Sequence, residues 1–272
     1  MLPSDLSTQT LAPSPDVHLA WPRRFPVLNI HVSATTYAEL TEVILQAALN
    51  RQSAIVSCHS VHAVVTASVS RDLCQKVNSF DAVTPDGQPV RWSLRWLHGI
   101  RLQDRVYGPE LTLRVCEEAA RKKVGIYLYG GTFEVLEKLT HKLQTRYPGL
   151  VVHGEAPPFR ALTEQEDRAV VERIEKSGAG IVFIGLGCPK QDEFAFAHRS
   201  SIHAVQICVG AAFDFHAGVK KMAPPWMQRN GLEWLFRLCQ EPRRLWWRYL
   251  SANTSFLYLL LGQFLRGKKS PN

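Results

Sequence analysis

The stretch VGIYLYGGT, residues 124–132, contains the pattern from which the fold of this chain is predicted. Its first six residues include Val, Ile, Leu and two Tyr, and a short apolar run of this kind is typical of a strand buried on both faces of a parallel sheet. Two glycines then make a turn, and Thr132 begins a segment with helical periodicity. The stretch therefore predicts a strand that passes through a tight turn into a helix.

Further apolar runs alternate with helix-period segments on both sides of this unit. The other runs are Ala54–Cys58, Leu150–His153, Ile181–Gly185 and Val205–Val209. Helix candidates lie near residues 37–50, 60–77, 109–123, 132–147, 163–177 and 191–200, and Thr163-Glu164-Gln165-Glu166 has the form of a capping box. The alternation predicts an α/β fold, with a Rossmann-like, mostly parallel sheet flanked by helices.

The distribution of charge separates the end of the chain from the rest. Residues 219–272 contain ten Lys and Arg residues but only two acids, so the whole formal net charge of +8 lies there, together with four of the seven Trp. We expect a flexible leader at 1–25, an α/β catalytic domain at 26–218 and a basic, aromatic, helical C-terminal appendage at 219–272. The basic end indicates an anionic partner, which can be a phosphate, a lipid surface or nucleic acid.

Composition excludes several classes of protein. With 272 residues, of which 46% are hydrophobic and 21% charged, the chain is neither disordered, nor collagen-like, nor a polytopic membrane protein. The six Cys are scattered without metal-ligand spacing, so we expect reduced core thiols in a cytosolic protein and no metal site. Prolines near the N-terminus disfavour a signal peptide. The 17 residues between Arg248 and Arg266 are too few and too polar for a membrane span and predict an amphipathic segment on a membrane surface.

Three loops that follow predicted strands contain candidate ligand-binding residues, because open parallel sheets bind ligands at the carboxyl ends of their strands. Gly130 and Gly131 offer backbone N–H groups and a helix start to a phosphate or nucleotide. In the second loop Gly187 permits close approach and Gln191 can donate and accept hydrogen bonds. This loop lacks the third glycine of a dinucleotide fingerprint, which disfavours a dehydrogenase. In the third loop Asp86 is either a turn former or the single general base that an inverting group transfer needs.

Together with the C-terminal segment, these loops resemble the WecG/TagA/CpsF glycosyltransferases, glycosyltransferase family 26, over roughly residues 28–250. The residues that carry the resemblance are Asp81–Gly87, Arg105–Leu111, Tyr129–Gly131, Tyr147–Leu150, Gly185–Gln191, Val209–Gly218, Ala223-Pro224 with Trp226, Gly231–Arg237 and Glu241–Arg243. One such motif is weak evidence, whereas this many in order identify the chain as similar to the family.

The resemblance implies an inverting, metal-independent and cofactor-free enzyme at the inner face of the cytoplasmic membrane. Such an enzyme transfers a sugar, often N-acetylmannosamine, from its UDP derivative to a polyprenyl-diphosphate-linked saccharide for a bacterial surface polysaccharide. In this interpretation Asp86 is the general base. The candidate substrate-binding residues, which include the glycines of the loops, are Ser57, His59, Arg105, Gly130, Gly131, Gly187, Gln191, Asp214, Arg237, Arg244 and Arg248.

The resemblance further implies that the basic C-terminal segment closes over the active site and contacts the donor diphosphate while it docks on the membrane. Arg237, Arg244 and Arg248 suit that role, because guanidinium groups bind phosphates in a bidentate manner. Asp214 either lines the pocket or stabilises its own Phe-Asp-Phe turn.

The chain departs from the family pattern at several positions. Ser57-Cys58-His59 stands where Thr-x-Asn is usual, so a hydroxyl is kept but an imidazole replaces an amide. His59 is therefore either a pocket ligand or a packed polar residue. Glu110 replaces the usual Asp, Asp192 stands where Glu is common, and Gln88 follows the Asp-Gly turn in place of a second glycine. These departures affect the identity of the sugar more than the type of reaction.

Two other functions remain open at the level of sequence. One is a glucosyltransferase of the same family that uses UDP-glucose for exopolysaccharide synthesis. The other is a non-catalytic module whose basic, Trp-rich tail binds nucleic acid. Because the body of the chain has no nucleic-acid-binding motif, we expect no nucleic acid partner. The oligomeric state, a homo-oligomer included, does not follow from the sequence.

Overall fold

The computed structural model describes residues 19–267. Its strands are β1 (Arg24–Val27), β2 (Ile30–Ser33), β3 (Ala54–His59), β4 (Ala82–Pro85), β5 (Ile126–Gly130), β6 (Val152–Glu155), β7 (Ile181–Gly185) and β8 (Val205–Cys208). β1 and β2 form an antiparallel hairpin. The other six strands form a parallel sheet in the order β4-β3-β8-β7-β5-β6. The predicted α/β fold with a mostly parallel sheet is confirmed.

Helices connect these strands and cover both faces of the sheet. They are α1 (Tyr37–Leu49), α2 (Val61–Val69), α3 (Arg71–Asn78), α4 (Gln88–His98), α5 (Gly108–Arg121), α6 (Phe133–Arg146), α7 (Glu164–Lys176), α8 (Lys190–Ala197) and α9 (Ala212–Ala217). Three further helices follow in the basic segment: α10 (Pro225–Arg229), α11 (Glu233–Gln240) and α12 (Pro242–Gly267).

Helix ends were readable from local chemistry. The Thr163 hydroxyl accepts a hydrogen bond from the backbone N–H of Glu166, and the Glu166 carboxylate accepts one from the N–H of Thr163, which completes the predicted capping box of α7. Thr132 likewise caps α6 by accepting from the N–H of Val135 at 3.2 Å. Residues 124–132 therefore form a strand, a glycine pair and the cap of the following helix, as predicted.

Several elements differ from the sequence-based expectation. The helix predicted over residues 60–77 is two helices, α2 and α3, because Ser70 leaves the helical conformation and caps α3 through the N–H of Leu73. β4 and α4 were not predicted as regular structure. β4 has only four residues and ends in Pro85, and α4 starts at a Gln-Pro pair that resembles a loop, although Pro suits the first turn of a helix.

The predicted leader and the cysteines differ in part from the expectation. Residues 1–18 of the leader, and residues 268–272 of the appendage, lie outside the described residues, and the hairpin strand β1 already begins at Arg24. All six cysteines are free. Cys58, Cys116 and Cys208 are buried as expected, but Cys239 is exposed on α11, so the expectation of core thiols is wrong for that residue.

Alternation along the strands divides the core into two layers. On β3, Val56 packs in the layer with α1, α5 and α6, whereas Ile55 packs in the layer with α2, α3 and α7. Phe256 and Leu260 of α12 are 2% and 8% exposed and belong to this second layer. Burial of two such side chains contributes about 3–6 kcal/mol, so the middle of α12 is part of the core.

Polar contacts hold the end of α12 as well. The side-chain oxygen Oε1 of Gln263 accepts a hydrogen bond from the backbone N–H of Leu28 at 2.7 Å, and its side-chain Nε2 donates to the backbone carbonyl of Pro26 at 3.0 Å. The last helix therefore crosses the molecule and is fastened to the β1–β2 hairpin. Within residues 19–267, no helix combines the length and the hydropathy that a membrane crossing requires.

Candidate active site

A cavity of about 1740 Å³ lies at the carboxyl ends of the parallel strands. The loops after β3, β4, β5, β6, β7 and β8 line it, and so do α11 and α12 of the basic segment. This is the edge at which open α/β sheets bind ligands. Because a pocket of roughly 300–1,000 Å³ holds one small molecule, the cavity has room for more than one ligand.

Asp86 follows β4 and lies on the cavity wall. Its Oδ1 accepts a hydrogen bond from the backbone N–H of Gly108, the first residue of α5, at 2.7 Å. Within residues 19–267, Oδ2 has no hydrogen bond. Burial raises the pKa of Asp86 from 3.8 to about 6, the N–H of Gly108 and the charges of Arg105 and Arg237 oppose this rise, and Glu233 adds to it. A carboxylate with a pKa near neutrality and one free oxygen is suited to general base catalysis.

Arg105 holds the backbone beside this carboxylate. It is 6% exposed, its Nη1 donates to the carbonyl oxygen of Asp86 at 3.0 Å, and its guanidinium lies 4.1 Å from the centre of the Tyr107 ring. Its Nη2 donates to Glu233 Oε2 at 2.7 Å and to Gln228 Oε1 at 3.4 Å. Arg105, a candidate substrate-binding residue, lines the cavity, and both of its amino groups already have partners in the protein.

Glu233 comes from α11, outside the α/β body, and was not among the predicted site residues. Besides the ion pair with Arg105, its Oε1 accepts a hydrogen bond from the Tyr107 hydroxyl at 2.7 Å. The side chains of Arg105 and Glu233 are only 7% and 12% exposed. The available signal was that Glu233 is one of two acids among the bases of residues 219–272, but its partners lie 128 and 126 residues away.

The glycine loops lie at the carboxyl ends of β5 and β7. Gly131 and Gly187 line the cavity, whereas Gly130 lies behind its wall. A Cβ at Gly130 would stand 2.6 Å from the carbonyl carbon of Gly185, so only glycine permits this approach of β5 and β7. Gln191 is 3% exposed, lines the cavity, and accepts a hydrogen bond from the N–H of Gly210 at 3.0 Å.

Ser57 and His59 lie beneath the cavity floor and do not line it. Both are 0% exposed and face Asp192 of α8: the Ser57 hydroxyl donates to Asp192 Oδ1 at 2.6 Å, and His59 Nε2 lies 3.4 Å from the same oxygen. His59 is thus packed as a buried polar residue, one of the two interpretations left open by the sequence. The cluster ties β3 to the first turn of α8, which carries Gln191.

Cations from the C-terminal helices face the cavity. Arg237, Arg244 and Arg248 all line it. Arg244 pairs with Glu241 at 2.9 Å, whereas Arg237 and Arg248 have no salt bridge within residues 19–267. Arg237 lies over the Phe215 ring at 5.6 Å. Burial and the charge of Arg248 lower the pKa of His62 to about 4, which places Arg248 beside the start of α2.

Asp214 also lies on the cavity wall, where its carboxylate pairs with Lys220 at 2.8 Å. The carbonyl oxygen of Asp214 accepts hydrogen bonds from the N–H groups of Val219 and Lys220, so the residue also organises its own turn. Within the described part of the chain, no group of three or more His, Cys, Asp or Glu side chains is arranged to hold a metal ion.

One surface of α12, which does not line the cavity, carries a row of exposed apolar side chains. We call this row the outer face of α12; it consists of Trp247, Tyr258, Leu261 and Leu265, which are 64%, 77%, 58% and 53% exposed. These residues are absent from the cavity wall, whereas Trp246, Leu250 and Leu257 on the neighbouring side of the helix line it. α12 therefore presents apolar side chains both to the cavity and to the outside.

Comparison with known proteins gives a consistent result. The model of the family described as glycosyl transferase WecG/TagA/CpsF matches residues 25–270. An N-acetylglucosaminyldiphosphoundecaprenol N-acetyl-beta-D-mannosaminyltransferase of Bacillus subtilis (strain 168) is 32% identical over 199 residues, which cover 73% of this chain and 75% of that protein. A protein of the same name from Bacillus spizizenii (strain ATCC 23059 / NRRL B-14472 / W23) is 31% identical over 176 residues, 64% of this chain and 66% of that protein. The family match includes both the α/β body and the C-terminal helices.

Proposed function

Because this chain belongs to the WecG/TagA/CpsF family of glycosyltransferases, we propose that it moves an N-acetylmannosamine-like sugar from a UDP-sugar to a polyprenyl-diphosphate-linked saccharide. The reaction inverts the anomeric configuration, needs no metal ion and serves bacterial surface polysaccharide synthesis. The observation that carries the proposal is Asp86, a carboxylate with a pKa of about 6 and one free oxygen on the wall of a large cavity. The names of the relatives, N-acetylmannosaminyltransferases that act on a lipid-linked N-acetylglucosamine, support the choice of substrates.

In this reaction Asp86 acts on the acceptor. Its carboxylate removes the proton from an acceptor hydroxyl, and the hydroxyl oxygen attacks the anomeric carbon of the donor sugar from the side opposite the diphosphate. The bond between that carbon and the diphosphate oxygen breaks, and UDP leaves with the electron pair. One proton is transferred to Asp86, one glycosidic bond forms, and the configuration at the anomeric carbon is inverted.

Cations on α11 and α12 support the departure of UDP. Arg237 and Arg248 lack salt bridges among the described residues and line the same cavity as Asp86. Positive groups aimed at a leaving diphosphate stabilise the charge that develops in the transition state. Two diphosphates, one on the donor and one on the lipid-linked acceptor, are present during the reaction, and the size of the cavity agrees with that requirement.

We place the enzyme peripherally at the inner face of the cytoplasmic membrane, where a lipid-linked acceptor is found. The outer face of α12 supports this placement, since exposed Trp, Tyr and Leu side chains next to Arg residues are typical of helices that lie in a membrane interface. Docking through this face would bring the cavity, which the neighbouring side of the same helix lines, close to the surface from which the acceptor comes.

The test is sugar transfer from a panel of UDP-sugars, UDP-glucose included, to a short polyprenyl-diphosphate-N-acetylglucosamine analogue in the presence of EDTA. The wild-type chain is compared with Asp86→Asn and with Asp214→Asn, which neutralises another carboxylate on the cavity wall. We expect transfer that persists in EDTA and falls at least about 100-fold in Asp86→Asn, as for loss of a general base. Transfer that is lost in Asp214→Asn but retained in Asp86→Asn would contradict the mechanism, and so would transfer that stops with EDTA. The UDP-sugar that supports transfer identifies the donor sugar.

A further inference from the structure

Glu233 is the acid of the basic C-terminal segment that contacts the residues around Asp86. We propose that Glu233 is a positioning residue which, from α11, orients Arg105 and Tyr107 around Asp86 and strengthens this carboxylate as a base. The proposal rests on the proposed function in one respect, namely the role of Asp86. It adds a residue of the C-terminal segment that acts through the surroundings of Asp86 and not on the diphosphate.

Glu233 bridges Arg105 and Tyr107, and we call this pair of contacts the clamp. One carboxylate oxygen of Glu233 accepts from Arg105 Nη2 and the other accepts from the Tyr107 hydroxyl, both at 2.7 Å. Arg105 in turn donates to the carbonyl of Asp86, and Gly108, next to Tyr107, donates to the Asp86 carboxylate. Glu233 therefore fixes the two residues on either side of Val106, and through them the loop whose N–H binds the base.

Burial makes this clamp sensitive to charge. Arg105 and Glu233 are nearly excluded from water, so removal of the Glu233 charge would leave a buried guanidinium without its counter-ion. The charge of Glu233 also raises the proton affinity of Asp86, whereas those of Arg105 and Arg237 lower it. Glu233 acts twice, directly as a like charge near Asp86 and indirectly by compensating Arg105.

Other titratable groups around Asp86 do not replace this effect. Besides the charged residues already named, the groups whose own pKa values Asp86 raises are Tyr37 of α1, Cys58 of β3 and Tyr107. Burial is the largest cause of the raised pKa in all three, so they stay neutral at physiological pH. Glu233 is thus the anion that sets the charge balance at Asp86.

The alternative is that Glu233 only anchors α11 to the body. An anchor would affect the thermal stability and the membrane affinity of the enzyme, but not the pH at which Asp86 loses its proton. The two roles are therefore separated by a titration. Glu241 offers a matched control, because it is the other acid of residues 219–267 and pairs with Lys220 and Arg244 instead.

The experiment compares the full chain with Glu233→Gln, Glu233→Asp and Glu241→Gln. For each we would measure the pH profile of kcat/KM for the donor, and the titration of the Asp86 carboxyl carbon by NMR, assigned with Asp86→Asn. In Glu233→Gln we expect the acid limb of the profile and the carboxyl titration to move about one pH unit lower, since a nearby negative charge is lost. The maximal rate should fall roughly three- to tenfold with the weaker base.

The other variants decide between charge and anchoring. Glu233→Asp keeps the charge but is one methylene shorter, so it should retain the titration near pH 6 while losing part of the rate. Glu241→Gln should leave both readouts unchanged. An unchanged titration in a folded Glu233→Gln, or an equal shift in Glu241→Gln, would overturn the proposal. A wild-type chain without any transfer would contradict the proposed function alone, because the carboxyl titration still tests the clamp.

Discussion

Among single side chains, Asp86 shows most directly how a functional group costs stability. Its position directly after β4 and before Gly87 is what a turn-forming Asp would have, but its carboxylate accepts a hydrogen bond from Gly108, 22 residues away, and not from its own turn. Burial nevertheless raises its pKa to about 6, which a turn at the surface would not do. The sequence therefore identified the residue but left its role open, and the raised pKa, which depends on the surrounding walls, supports the role of a base.

The raised pKa of Asp86 predicts that replacement of its carboxyl group stabilises the folded protein. The pKa of Asp86 is higher in the folded state than its ordinary value of 3.8, so ionisation weakens the folded state progressively as pH rises from about 4 to about 6. Above that range, ionised Asp86 lowers the free energy of unfolding by about 3 kcal/mol at most. Asp86→Asn should raise the free energy of unfolding in urea at pH 8, even though transfer is lost, and the gain should shrink as pH falls towards 4. A gain of equal size at pH 4 and pH 8 would argue against the raised pKa.

At the level of helices and strands, the buried contact between β3 and α8 carries the next prediction. Ser57 donates a short hydrogen bond to Asp192 with both side chains excluded from water. Ser57→Ala would remove the shorter of the two contacts to Asp192 Oδ1 and leave only His59 Nε2 at 3.4 Å, and loss of a buried hydrogen bond of this kind costs roughly 1–3 kcal/mol. We expect this loss in urea unfolding, whereas Ser60→Ala should have a small effect, because Ser60 makes no side-chain capping bond at the start of α2. Equal effects of the two substitutions would mean that the contact contributes little.

The same elements show which local signals are sufficient for prediction. α6 and α7 were predicted because their caps are encoded within four residues. The break at Ser70 between α2 and α3 was missed, since an apolar pattern of helical period runs through it. β4 was missed because a four-residue strand with Pro85 has almost no periodicity, and its pairing with β3 over residues 82–85 is what makes it a strand.

For the molecule as a whole, the arrangement of α12 links the cavity to a surface. One side of the helix lines the cavity, the buried Phe256 and Leu260 join the core, and the outer face is exposed. The net charge of +8 resides in the segment that contains this helix. A basic segment with exposed aromatic and aliphatic side chains is expected to bind an anionic lipid surface.

This arrangement predicts that membrane binding and chemistry can be separated. Replacement of Trp247, Tyr258 and Leu261 by Ser should lower sedimentation with vesicles that contain anionic lipid by about tenfold or more. Transfer to a water-soluble acceptor analogue should be retained, because none of the three lines the cavity. The matched control replaces Leu49, Val69 and Val151, which are 53%, 70% and 54% exposed on other surfaces. Vesicle binding that survives the first triple substitution, or falls equally in the second, would contradict membrane docking through α12.

Sequence alone determined the α/β class, the caps of α6 and α7, the basic aromatic end, the family resemblance and several residues of the cavity wall. These features depend on period, turn chemistry and motifs, all of which are local along the chain. Only the tertiary structure placed His59 beneath the floor and Glu233 beside Arg105, 128 residues away. The physical reason is that burial and charge compensation depend on which segments pack together, and neither the distance between two side chains nor the water around them is encoded in their spacing along the sequence.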